Sequence, residues 1–186
     1  WGKLYRRSFL EVHDLWIPPY SYAEDKAHNF RCCACHPKYA FVPQSIVLYR
    51  ENLQSLTFRP KKDLMQNWIL LASDFEQFLK EKSLSRKYGD LIFFHLLIGA
   101  MYLAKEEMTY KGKKIRVVAK VLKKYHANPF VKEKLTWKAC VHYTAHIQSL
   151  FWKALAFTLV FFLQVHAYSI LAAVLVLMSR LGIDSL

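Results

Sequence analysis

The chain has 186 residues, 54% of them hydrophobic and 16% aromatic, and a formal net charge of +13. That is too apolar for a disordered chain, and 5 glycines and 6 prolines are too few to punctuate an all-β domain. A mostly α fold is expected. The cationic excess asks for an anionic partner, lipid headgroups or nucleic acid.

Residues 1–60 read as an irregular, extended segment. Pro18, Pro19, Pro37, Pro43 and Pro60 favour extended backbone. Aromatics such as Trp1, Tyr5, Trp16, Tyr20, Phe30 and Phe41 are dense here, which suits a segment lying across a partner's surface. A short helix fits around Gln44 to Leu56.

The sharpest local motif falls in this segment. Cys32-Cys33-Ala34-Cys35-His36 satisfies C-x-x-C-H, the attachment pattern of c-type haem. On these five residues the chain resembles membrane-anchored c-type cytochromes. The resemblance implies an electron carrier in which Cys32 and Cys35 bond haem c and His36 ligates its iron. A second reading uses Cys32 and Cys35 as a zinc pair, completed by His142 and His146, which lie four apart on one helix face. A third leaves the cysteines as plain thiols with no cofactor.

Residues 61–128 read as a helical, basic, peripheral region. Leu64, Trp68, Leu71, Phe75, Phe78 and Leu79 follow three- and four-residue steps and predict a helix over 61–83. Gly89 reads as a stop and Asp90 as the cap of a new start. The run 91–104 is apolar on all faces but short for a span, as in a buried or interfacial helix. Residues 112–126 lean to a basic helix. Between 105 and 138 stand eleven Lys or Arg against Glu106, Glu107 and Glu133.

Asn128 followed by Pro129 is a strong helix start. No Gly or Pro follows until Gly182, so one continuous helix is expected from about 129 to 180. Its first part, 129–153, would be juxtamembrane. Its second part, 154–179, carries no charge and exceeds the roughly 20 residues that span a bilayer, so it reads as a transmembrane helix with a short tail, 180–186. Lys113, Lys114, Arg116, Lys123, Lys124, Trp152, Lys153 and Arg180 would then contact anionic lipids such as cardiolipin.

No nucleophile elbow, P-loop, G-x-G-x-x-G or H-E-x-x-H occurs, so no catalytic role is expected. Together these features predict a structural accessory subunit of a large mitochondrial inner-membrane complex, such as ATP synthase or a respiratory-chain complex. Most of the chain would lie on the matrix side, with other subunits as partners. Besides the electron carrier, a membrane-tethered, ribosome-contacting protein is the further alternative, although no nucleic-acid-binding motif supports it.

Overall fold

The longest helix lies in the middle of the chain, not at its end. The computed structural model describes residues 3–20, 23–44, 60–61 and 63–182. Among these, nine helices follow in order: α1 (Arg7–His13), α2 (Glu24–Ala34), α3 (Leu64–Glu81), α4 (Ser85–Lys111), α5 (Ile115–His126), α6 (Pro129–Lys134), α7 (Trp137–Thr144), α8 (Leu150–Gln164) and α9 (Tyr168–Arg180). No strand occurs among the described residues. The mostly helical class therefore holds, but the irregular N-terminal segment does not: residues 1–60 contribute α1 and α2. The helix expected around Gln44 to Leu56 lies outside the described residues, apart from its first position.

Helix α3 buries Leu64, Trp68, Leu71, Phe75, Phe78 and Leu79, the face set by their spacing. It packs against α4, which also touches α5, α6, α7, α8 and α9. A helix with neighbours on all sides has to be apolar all round, which accounts for residues 91–104. Gly89 and Asp90 do not mark a stop and a new start: α3 ends at Glu81, α4 begins at Ser85, and both residues lie inside α4. A Cβ at Gly89 would lie 3.0 Å from the Tyr143 hydroxyl, so this glycine admits α7 close to α4 rather than ending the helix.

The α3–α4–α5 junction is tied by polar groups inside the core. The Trp68 indole N–H donates to the His95 carbonyl at 2.8 Å, and His95 Nε2–H donates back to the Trp68 carbonyl at 3.0 Å. The two rings stack at 4.6 Å. From α5 the fully buried Tyr125 hydroxyl donates to the Leu96 carbonyl at 2.8 Å. Gly99 faces both groups across one helical turn.

The expected helix from 129 to 180 is broken three times. Asn128 does cap α6, accepting from the Phe130 and Val131 amides at 3.0 and 3.3 Å, but α6 ends at Lys134. Thr136 then starts α7 by accepting from the Ala139 amide at 3.2 Å, and Ser149 starts α8 by accepting from the Trp152 amide at 3.5 Å. These hydroxyl caps break a helix without Gly or Pro.

The third break overturns the transmembrane reading. His166 adopts a left-handed conformation, φ 57°, and the Ala167 amide reaches back to the Phe162 carbonyl at 2.9 Å. This is a helix-ending arrangement made without glycine. Gln164 donates to the Leu135 carbonyl at 2.6 Å, and the Tyr168 hydroxyl sits 3.0 Å from His126 Nδ1. The apolar run becomes two helices, with α9 laid along α5 and α8 touching α9. At 1.5 Å per residue α8 and α9 are each about 20 Å long, short of a hydrocarbon core of about 30 Å. No helix among the described residues is long and apolar enough to cross a membrane.

Gly99→Ala tests the α3–α4–α5 junction. The new Cβ would sit 2.8 Å from the Tyr125 hydroxyl and closer still to the Trp68 indole. Stability should fall by about 1–3 kcal/mol in urea unfolding, the usual cost of overpacking. An unchanged midpoint would show that this contact does not constrain the core.

Candidate functional site

The chemistry-bearing groups gather around α2, which three anchors hold in place. Tyr20, at the end of the Pro18–Pro19 strap, donates its hydroxyl to Asp74 on α3. Lys26 lies over the Trp68 ring, its Nζ 4.5 Å from the centroid, and burial there lowers its pKa, with Asp25 acting in the opposite sense. Asn29 Oδ1 accepts from Tyr5 at 2.7 Å and from Lys3 at 3.2 Å, which ties the N-terminal segment to the same helix. Phe30 adds an apolar contact to Phe75, 5.1 Å between centroids.

The inward face of α2 carries His28 and Cys32. His28 Nε2 is 3.5 Å from Cys32 Sγ, and the Tyr5 ring meets the imidazole edge-on at 4.9 Å. Burial lowers the His28 pKa, against a hydrogen bond to the Trp16 backbone that raises it. Burial also pushes the Cys32 thiol up to about 11, with Cys33 and Cys35 adding to the rise. Cys32 is therefore a protonated, inert thiol near neutral pH.

The outward face begins with Glu24 and Asp25, both exposed in the first turn of the helix. The helix dipole favours negative charge at this end. The chain has one other pair of adjacent carboxylates, and it is neutralised: Glu106 faces Lys61 at 3.5 Å and Glu107 faces Lys111 at 2.8 Å. Glu76 is claimed by Lys80 and Lys134, and Glu11 by Arg7. Among the described residues no ion pair engages Glu24 or Asp25. Asp25 lies close enough to Tyr5 to help raise the phenol's pKa, behind the larger effect of burial. Trp16 and Ile17, which precede the Pro18–Pro19 strap, are both more than half exposed. The result is a pair of carboxylates open to solvent at the start of α2.

The residues singled out by motif do not assemble. Cys32 is buried and Cys33 exposed, while Cys35 is half-buried at the C-terminal cap of α2. His36 has a left-handed backbone, φ 52°, and its ring lies 3.1 Å from Lys87 Nζ and 3.2 Å from the Tyr88 hydroxyl. His142 and His146 are exposed on and just beyond α7, where the buried cysteine is Cys140, its thiol raised to about 11 by burial. Among the described residues no group of three or more His, Cys, Asp or Glu is placed to hold a metal ion; Cys32 and Cys35 lie at the end of α2, and His142 and His146 on and beyond α7. Of the residues in the haem pattern, Cys32 faces the core against His28, Cys35 is half-buried and His36 is exposed. Of the basic residues expected at lipid, Lys114, Arg116, Lys123, Lys124 and Arg180 are exposed, Trp152 is partly exposed and Lys153 half-buried. Lys113 donates to the Ser179 carbonyl at 2.9 Å.

Sequence reasoning passed over Glu24 and Asp25. An acidic dipeptide in a chain of 14 carboxylates carries no pattern of its own. What sets it apart is that the other adjacent pair, Glu106 and Glu107, is ion-paired.

No family model matches the chain, and no solved structure shows a significant match. A curated protein of Bacillus subtilis (strain 168), "Putative glycosyltransferase EpsH", is 26% identical over 140 residues, 73% of this chain. The chain spans 41% of that protein's length. This similarity points toward an enzyme, against the expectation of a non-catalytic role. It also leaves the mitochondrial accessory subunit without support: the spanning helix that motivated it is absent, and the relative carries an enzyme's name.

The buried histidines make stability depend on pH. Burial first, and Lys26 second, lower the His95 pKa to about 3, although its bond to Trp68 opposes them. An unfolded histidine protonates near 6.5. Below that value the unfolded chain binds a proton that the folded chain refuses until about pH 3, so stability falls as pH drops through this window. His28 and His126, also lowered, act in the same direction. Going from pH 7 to pH 5 should cost about 2 kcal/mol through His95. His95→Gln should flatten the decline in urea unfolding; the same slope in both proteins would refute it.

Proposed function

We propose that this chain is part of a glycosyltransferase and that the start of α2 supplies its acid–base carboxylates. The observation that carries the reading is the 140-residue similarity to the Bacillus protein. The exposed Glu24–Asp25 pair supports it. Glycosyl transfer to a hydroxyl forms an oxygen–carbon bond at the sugar's anomeric centre while the bond to the leaving group breaks. The hydroxyl proton must pass to a base, and a carboxylate within hydrogen-bond reach does this. Positive charge grows on the sugar ring in the transition state, and a second carboxylate nearby stabilises it. Glu24 and Asp25 are open to such an acceptor, sit on a helix fixed to α3, and have no lysine or arginine occupying them in an ion pair among the described residues.

The test uses the full-length protein with UDP-glucose, UDP-galactose, UDP-N-acetylglucosamine and GDP-mannose, reading nucleoside diphosphate release. At least one donor should turn over. Glu24→Gln or Asp25→Asn should lower the rate by about 100-fold or more, the range lost with an acid–base group. Glu81→Gln, an exposed carboxylate on α3, should leave it unchanged. No release from any donor, or wild-type rates in both α2 variants, would contradict the reading.

A further inference from the structure

We infer that the α5–α9 face docks peripherally on a bilayer surface rich in anionic phospholipid. The two helices run antiparallel: Lys113, before the start of α5, bonds the Ser179 carbonyl near the end of α9, and His126, at the end of α5, bonds Tyr168 at the start of α9. This register places Arg116 level with Leu177, Lys120 with Ala173, and Lys123 with Ile170. Arg116, Lys120 and Lys123 are exposed, and none takes part in an ion pair among the described residues. Ile170 and Leu177 are each more than half exposed. Exposed cations on α5 therefore stand level with exposed apolar side chains on α9, while Val118, Leu122, Leu171 and Leu175 turn to the core.

Neither α5 nor α9 contains a carboxylate, and neither does α8, which packs beside them. A surface that merely stays solvated mixes both signs of charge. This one is complementary to anions alone. Nucleic acid would reward the cations but leave Ile170 and Leu177 in water. An anionic lipid surface satisfies both, with headgroups at the ammonium and guanidinium groups and the branched side chains at the acyl boundary. No helix crosses the bilayer in this arrangement. The inference stands apart from the glycosyl-transfer reading.

Co-sedimentation of the full-length protein with vesicles tests it. Vesicles of phosphatidylcholine containing a minority of phosphatidylglycerol should bind at least about tenfold more tightly than phosphatidylcholine alone. An Arg116→Glu, Lys120→Glu, Lys123→Glu variant should lose that preference. An Ile170→Ser, Leu177→Ser variant, with every charge intact, should bind several-fold more weakly. Both carry surface changes, and unchanged helical circular dichroism confirms their folding. Equal binding to both vesicles, wild-type binding by either variant, or tighter binding to duplex DNA or polyglutamate than to the anionic vesicles would overturn the inference.

Discussion

The Tyr168 hydroxyl lies 2.9 Å from His166 Nδ1 and 3.0 Å from His126 Nδ1, and this small polar knot decides how the most apolar part of the chain is used. One hydroxyl donates once, so one imidazole accepts from it and the other donates to it. His126 Nε2 is buried without a partner. A bare nitrogen costs less there than a stranded N–H, which assigns the proton to His126 Nδ1 and makes it the donor. Adding a second proton would strand an N–H in the core. Burial accordingly lowers the His126 pKa, with His166 and Lys132 nearby reinforcing the effect. Together with Gln164 on the Leu135 carbonyl, the knot fixes the bend between α8 and α9 and lays α9 along α5.

Much of the remaining architecture follows from that closure. With α9 covering α5, and α8 beside it, α4 becomes a central helix. Its neighbours must approach closely, hence Gly99 under Trp68 and Tyr125 and Gly89 under Tyr143. Trp68 then serves two sides at once: its edge and one face belong to the His95 junction, and its ring also carries Lys26 of α2. The core thus reaches the surface through one indole, and the carboxylates at the start of α2 inherit their rigidity from it. A helix of eleven residues with polar ends would be marginal alone. Docked on α3 by Lys26, Phe30 and the Tyr20–Asp74 bond, it becomes a stable mount.

Legibility in the sequence tracked how local each cause is. The α3 face could be read because a 3.6-residue period needs only the residues themselves. So could the Asn128–Pro129 start, since a cap acts within one turn. The breaks at Thr136, Ser149 and His166 could not, because Ser, Thr and His only permit a break; partners such as the Leu135 carbonyl and His126 impose it from outside the segment. The apolar stretch 154–179 has the length of a span, and its use instead as two core-lining helices depends on where Gln164 and Tyr168 find partners. Cys32 to His36 matched a ligand spacing, yet whether a thiol faces solvent or His28 is a question of packing. Helix α2 was hidden by the prolines on either side, and Glu24 and Asp25 by the absence of any pattern.

The bend at His166 is the claim on which the account rests, and a distance measures it directly. Spin labels at the exposed positions Ala154 and Leu177, with the native cysteines replaced by alanine, report the separation by pulsed electron paramagnetic resonance. The folded-back pair predicts a distribution centred below about 25 Å, from two rises of 1.5 Å per residue meeting at the bend. A sharp distribution near 35 Å, the length of one unbroken helix between these residues, would contradict it.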